Sequence, residues 1–455
     1  MASRNSLDMT TGPVFRKLLL FAYPLMISAL VNTLYDAADK VIAGQFIGDN
    51  ALAAVGTSTP PISLLLNTFV GIASGAGVIC GNYIGGNRKQ ELRDCMHTAP
   101  LAGFLCGLLV CIIGLICSRP LLTAMDTPEA IFSDALTYTA IRMLGMPISL
   151  ANSFCLNIFN AHGDTKRITL SGVLSGLVNV LGNLLFVIVI PLGVAGIALA
   201  TVLSQLLALS IKLVILFSPK DIYRLRFSEV RLHMQHAKRI FAIGIPTGMN
   251  SLVFSVSNVL LQSSVNSFGP VVMAGNADAD AIMTFATLFP AQMNAASSCA
   301  VAQCYGAANY RRIDETVKKG IQGSLLLTAT ASAIVTVFSK PLMGLFTDDP
   351  AVMAAGIPKL MFAIWGYLIY TFSLIYGGAL KGIHKSGSMM LLNLVGVCLP
   401  RVLWVWFVFP LFATPTVLYL IYPVSYLISA ALLGIVYHRN LNRLLQEHEH
   451  TANAF

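Results

Sequence analysis

Apolar stretches of roughly 20 residues recur about twelve times along this chain, and that is the length an α-helix needs to cross about 30 Å of hydrocarbon. They begin near residues 17, 57, 98, 131, 168, 193, 240, 280, 321, 355, 389 and 415. The runs are unbroken, whereas a membrane β-barrel would show short alternating segments of about ten residues. The pattern predicts an all-α polytopic membrane protein of about twelve transmembrane helices in two pseudo-symmetric six-helix lobes. The lobes follow from a repeat about 221 positions long: Gly48/Gly269, Gly85/Gly306, Ala161/Gly382 and Ser118-Arg119-Pro120-Leu121/Ser339-Lys340-Pro341-Leu342. The boundaries predicted from it are 1–217 for the first lobe, 218–238 for a cytoplasmic linker, 239–438 for the second lobe and 439–455 for a cytoplasmic tail.

Each half opens with a proline a turn or so into its leading helix, Pro24 and Pro246, where a missing N–H and a ring clash kink the span. Parallel repeats of this kind suit a secondary transporter with a central site and rocking lobes. Hydrophobic residues make up 56% of the chain, charged residues 11%, and mean hydropathy is +0.74, too little polar surface for a water-soluble globule. Apart from Arg119 and Lys340 near loops of the opposite face, the loop Lys and Arg fall on one face: Arg16-Lys17, Arg88-Lys89, Lys166-Arg167, Lys220 to Arg239, Arg311-Arg312, Lys381 with Lys385, and Arg439 with Arg443. That placement predicts a multi-pass protein of the cell membrane with both termini cytoplasmic. The net charge of +9 therefore reflects topology and is no footprint of nucleic-acid binding. Nine cysteines, an odd number and mostly inside apolar runs, read as packing and not as a disulfide or metal framework. No cofactor is called for, and the expected partners reduce to the bilayer and a small organic molecule, with the protein a monomer.

The chemistry-bearing residues are sparse. A carboxylate near the membrane interior costs about 2.5–3.5 kcal/mol on insertion scales, so it needs water, a partner or a function. Asp36 and Asp39 lie in the first span, three apart and hence expected on one helical face. The matching positions of the second half are Asn258 and Leu261, so the asymmetry places energy coupling in the first lobe. Asn179 and Asn183 are four apart and share a face. With Thr201 they form an oxygen set suited to a hard cation such as Na+. Proton capture by Asp39 is the other route.

These residues also carry a family resemblance. Pro24, Leu34-Tyr35-Asp36-Ala37-Ala38-Asp39, Gly44 and Gly48-Asp49-Asn50-Ala51-Leu52-Ala53-Ala54-Val55-Gly56 resemble the first-helix signature of multidrug and toxic compound extrusion (MATE) transporters. Gly81-Asn82-Tyr83-Ile84-Gly85-Gly86, Ala161-His162-Gly163-Asp164-Thr165-Lys166 and Gly193-Val194-Ala195-Gly196-Ile197-Ala198-Leu199-Ala200-Thr201 extend the resemblance over nearly the whole chain. It implies an antiporter that exports organic cations in exchange for Na+ or H+ by alternating access. By the same resemblance Asp39 matches the ion-coupling aspartate, Asn179, Asn183 and Thr201 match polar neighbours, and Tyr138 matches by position in the fourth span. Some relatives carry a second aspartate at Asn183, and some a glutamate where this chain has Phe254, which makes a cation site in the second lobe unexpected.

For the substrate cavity the chain offers Met26, Asn32, Tyr35, Asn67, Asn250, Asn258, Gln262, Met283, Gln292, Met293, Trp365 and Tyr370, since aromatic and Met surfaces accept varied apolar cations. Arg401, deep in the eleventh span, needs an acceptor, for which Asp278 and Asp280 are candidates. The alternatives are a lipid-linked sugar flippase, with Arg142, Lys359 and Arg401 as pyrophosphate contacts, and an ion channel. No nucleophile–base set, metal cluster or phosphate loop marks an enzyme.

Overall fold

The computed structural model describes residues 7–218, 223 and 225–453. Residues 219–222 and 224 of the expected linker, with Lys220, lie outside that description, as do 1–6 and 454–455 of the two ends. The described chain is helical. Among the described residues, ten helices are long and apolar enough to span a membrane: α1 (Val14–Ile47), α2 (Asp49–Gly85), α3 (Lys89–Ala124), α5 (Thr165–Val189), α6 (Val194–Phe217), α7 (Met234–Asn266), α9 (Tyr310–Val337), α10 (Pro350–Gly382), α11 (Ser386–Phe412) and α12 (Pro415–His450). Two more complete the set of twelve. The fourth, α4, runs in two pieces, Glu129–Leu144 and Met146–His162, broken at Gly145. The eighth, α8 (Pro270–Gly306), carries Asn276, Asp278 and Asp280 in its first half.

The repeated glycines have a conformational cause. Gly48 at φ +123° joins α1 to α2, and Gly269 at φ +87° joins α7 to α8. Neither has an atom within 4 Å of the place a Cβ would occupy, so backbone dihedral and not space demands glycine there. The helices that follow both last 37 residues and end on the matched Gly85 and Gly306. The turns after them repeat a left-handed residue, Asn87 at φ 54° and Ala308 at φ 53°, and Gly163 at φ 70° is answered by His384 at φ 65°. The repeat in sequence is thus a repeat of turns.

Two compact units emerge, and each leading helix is divided between them. Among the described residues, one unit comprises Ile27–Gly248 with Leu7 and Asp8, and the other comprises Met9–Met26 with residues 249–453. The changeover falls two residues after Pro24 in α1 and two residues after Pro246 in α7.

Within the first unit, α2 and the start of α7 cross at glycines on both sides. A Cβ on Gly75 would lie 2.3 Å from the Ile240 carbonyl oxygen, and one on Gly71 would lie 2.8 Å from the Gly248 Cα. Gly71/Gly75 and Gly244/Gly248 are both four apart, the small-residue spacing that lets membrane helices touch backbone to backbone. In the second unit, the Arg312 guanidinium on α9 fastens the chain start by donating to the carbonyl oxygens of Met9 (2.8 Å), Thr11 (2.5 Å) and Gly12 (2.7 Å). Outward faces stay apolar, as Ile112, Ile113 and Ile116 of α3 show, all more than half exposed. Such surface suits hydrocarbon and not water. All nine cysteines are free thiols.

Candidate functional site

In the first unit, α1, α5 and α6 bring one carboxylate and three neutral polar side chains together. Asp39 is 6% exposed, Asn179 and Asn183 are fully buried, and Thr201 is 3% exposed. Asn183 Nδ2 donates to Asp39 Oδ1 at 2.5 Å, and Thr201 Oγ1 donates to Asp39 Oδ2 at 3.2 Å. Asn179 Nδ2 donates to Thr201 Oγ1, and Asn183 Nδ2 also reaches Asn179 Oδ1, both at 3.3 Å. Asn183 Oδ1 is buried with no hydrogen-bond partner among the described residues. A buried amide oxygen without a donor is costly, and this one is chemically suited to a further donor or a cation.

Local backbone irregularity frames this cluster. α1 changes to π-helix at Ala43–Ile47, four residues after Asp39, and α5 does so at Leu185–Val189, two residues after Asn183. π-bulges widen a helix and are frequent at functional sites, because they re-aim side chains that regular spacing would stack. Tyr138 of α4 is 5% exposed and packs with Ile42, Ala43, Val194, Ile197 and Ala198, forming an apolar wall of the same core. The hydrogen bonds of Asp39 itself go to Asn183 and Thr201.

Asp36 lies outside the hydrogen-bonded cluster. Its spacing of three from Asp39 predicts a shared face, yet Asp39 is buried in the cluster and Asp36 is exposed. A 300° rotation over three residues leaves a 60° offset, enough to put one carboxylate inside a packed seam and the other beside it.

Asn32 and Tyr35 line a small polar cavity of about 130 Å³ in the same unit, together with Ser149, Asn152, Gln205 and Lys212. Lys212, on α6 and 4% exposed, donates to Asn152 Oδ1 at 2.9 Å; its position within a long apolar span was the available signal for it. Ser175 Oγ donates to the Ser204 carbonyl, and Ser204 Oγ donates to that of Thr201, which links this cavity to the Asp39 cluster. Asn67 is exposed on α2 and Met26 is buried at 8%.

The second unit holds a larger cavity of about 290 Å³, where Asn258, Gln262 and Met283 meet Asn276, Asp280, Lys359, Tyr367, Tyr422 and Tyr426. Tyr370 stands behind it, its ring 4.6 Å from that of Tyr426 and 5.3 Å from that of Tyr367. Asn250 instead accepts from Asn393 at 2.9 Å, Met293 is fully buried, Gln292 is half-buried, and Trp365 is 47% exposed with its indole donating to Thr336.

The pairing considered for Arg401 is corrected by this geometry. Asp280 is taken by Lys359 at 2.6 Å, and Asn276 Nδ2 adds a weaker contact at 3.4 Å. Arg401 bonds to neutral groups: Asn258 Oδ1 at 2.9 Å, Ser257 Oγ at 3.3 Å and Ser425 Oγ at 3.4 Å. Asp278 is half-buried elsewhere on α8. Sequence reasoning did not find the Lys359–Asp280 pair because its partners come from helices about 80 residues apart, although Asn276 and Asp280, four apart on α8, were a legible polar face.

Comparison with known proteins agrees with the repeat. The MatE family profile matches twice, over residues 24–185 and 246–406. The chain is 24% identical over 388 residues to the probable multidrug resistance protein YoeA of Bacillus subtilis, covering 83% of this chain and 82% of that one. It is 26% identical over 411 residues to the probable multidrug resistance protein NorM of Thermotoga maritima, covering 88% and 86%. In fold it matches a solved outward-facing multidrug resistance MATE family transporter of the MOP superfamily at a TM-score of 0.89, with 20% identity over 98% of this chain and 100% of that one. Both halves of the repeat being matched, the chain belongs to the MatE family of multi-pass membrane transporters, whose members are not enzymes.

Proposed function

We propose that this transporter is a secondary active antiporter that exports organic, cationic drugs or metabolites in exchange for Na+ or H+ by alternating access. It would sit as a monomer in the cell membrane with both termini cytoplasmic, as the Lys and Arg distribution favours. The observation that carries the reading is Asp39: a carboxylate 6% exposed in an apolar protein, hydrogen-bonded to neutral Asn183 and Thr201, beside an amide oxygen with no donor among the described residues.

The oxygen donors there are two from Asp39, one each from Asn179 and Asn183, and the Thr201 hydroxyl. They fit a hard monovalent cation, which would satisfy Asn183 Oδ1 and neutralise the carboxylate together. A proton on Asp39 neutralises the same charge and turns one oxygen into a donor. Either event removes a buried charge and so changes which helix arrangement is favoured. The named relatives are multidrug resistance proteins and lend the lipid-linked sugar flippase no support.

The test is export of a fluorescent organic cation from proteoliposomes, with Na+ and H+ gradients imposed separately. Uphill export driven by one gradient supports the reading and names the ion. Folded protein that responds to neither gradient refutes it.

A further inference from the structure

The second unit contains a positive charge that no described residue in it balances. Arg401 is 1% exposed on α11, between π-helical segments Leu394–Cys398 and Trp404–Val408. Its hydrogen-bond acceptors, Asn258, Ser257 and Ser425, are all neutral, and its Cζ lies 5.1 Å and 5.5 Å from the ring centroids of Tyr422 and Tyr426. Among the described residues it forms no ion pair. The cavity's carboxylate, Asp280, is already matched by Lys359 at 2.6 Å. One full positive charge therefore remains beside this cavity, in surroundings where an unpaired ion is expensive and its field is weakly screened.

Only one layer of side chains separates that charge from the cavity, since Asn258, Tyr422 and Tyr426 touch Arg401 and also line the space. The hydrogen bond from Arg401 fixes the Asn258 amide with its oxygen toward the guanidinium. Its two N–H donors are then turned from the guanidinium, and the residue that carries them lines the cavity. The walls are aromatic: Tyr367, Tyr422 and Tyr426, with ring separations of 5.7 Å and 6.3 Å to Tyr426, in the range where aromatic rings attract. Donors, a positive field and flat apolar faces specify one kind of guest.

We propose that this cavity binds organic anions that carry an acid group on an aromatic ring, such as an arene carboxylate. The acid group lies at the Asn258 amide within the field of Arg401, and the ring lies against the tyrosines. Arg401 is a positioning residue, acting through Asn258 and through its charge. This goes beyond cation export. It rests on that reading only for the claim that the bound acid is carried, and binding is measured without any gradient so that the two can fail separately.

The probes are 2-naphthoate, neutral 2-naphthylmethanol and cationic 2-naphthylmethylammonium, titrated by calorimetry into the purified full-length protein in detergent. The expected result is naphthoate binding at least about tenfold tighter than the alcohol, a difference of about 1.4 kcal/mol. Asn258→Asp supplies a counter-charge at the atom that Arg401 already holds. It should weaken naphthoate by about tenfold or more while leaving the alcohol within about twofold. Arg401→Gln should do the same and Arg401→Lys should retain the preference. Should Arg401→Gln fail to fold, Asn258→Asp carries the test. Equal affinity for acid and alcohol, tighter binding of the cation, or naphthoate affinity unchanged in Asn258→Asp would each overturn the proposal. If naphthoate binds as expected but no gradient drives any export, the antiporter reading alone fails.

Discussion

Asn183 reaches across from α5 to Asp39 of α1 and donates to its carboxylate at 2.5 Å, while the other end of the same amide has no partner among the described residues. One side chain thus holds the buried Asp39 carboxylate and presents an unpaired acceptor beside it. Substitution there should alter which ion the site takes. Asn183→Asp places a second carboxylate against Asp39, and two adjacent carboxylates cannot both ionise cheaply, so one retains a proton. The variant should gain a steeper dependence of export on pH. Transport with the Na+ and pH dependence of the parent, at equal membrane levels, would remove Asn183 from the ion site.

Thr201 contributes a hydroxyl to the cluster, its one proton shared between Asp39 at 3.2 Å and the Ile197 carbonyl at 3.0 Å while its oxygen accepts from Asn179. Thr201→Ser keeps that group and Thr201→Val replaces it with a methyl of similar shape. With Na+ as the coupling ion, Val removes one of its oxygen ligands and should raise the half-saturating Na+ concentration by about tenfold, about 1.4 kcal/mol, while Ser stays within about threefold. Ion titration of export in proteoliposomes reads this directly.

The crossing of α2 and α7 depends on the absence of side chains. Gly75→Val pushes a branched side chain into the Ile240 carbonyl, where even a Cβ would lie at 2.3 Å. Overpacking of this kind costs about 1–3 kcal/mol or more, so melting in detergent should occur several degrees lower. Gly56→Ala, with nothing within 4 Å of the added atom, should melt like the parent.

Much of this arrangement was legible in the residues. The twelve spans, the repeated turns at Gly48 and Gly269, and the shared face of Asn179 and Asn183 follow from periodicities and short spacings that a helix turns directly into geometry, whereas the gathering of Asp39 with Asn179, Asn183 and Thr201 was implied by the family resemblance. What was not legible depends on fine rotation and on distant partners. Asp36 and Asp39 part company because three residues fall short of a full turn, and no local signal tells which of two neighbouring faces meets α5. Arg401 finding Asn258 and Lys359 taking Asp280 are contacts between helices far apart in sequence. The π-helical segments that flank both sites have no compositional mark.

The Lys359–Asp280 pair offers a test of how that distant contact is held. Lys359 is 4% exposed at its side chain and Asp280 is 58% exposed, so the lysine depends on the aspartate more than the reverse. Asp280→Asn should lower the melting temperature by leaving an ammonium buried without its counter-charge. Adding Lys359→Met should recover about half of the loss or more, because an apolar side chain needs no partner there. Two independent, additive losses would show that the pair is not coupled.

In the proposed antiport cycle the Asp39 carboxylate couples ion entry to export, a role no other described side chain of its cluster can take because Asn179, Asn183 and Thr201 are neutral. This role is tested most directly by comparing uphill, gradient-driven export with gradient-free exchange of the same organic cation in proteoliposomes of the parent and of Asp39→Asn. Asp39→Asn, present at parental levels and melting within a few degrees of the parent, should lose at least about tenfold of uphill export because the substitution keeps the shape of the side chain and removes its titratable charge. Exchange down the substrate's own gradient should persist. Uphill export at the parental rate in Asp39→Asn would contradict the claim.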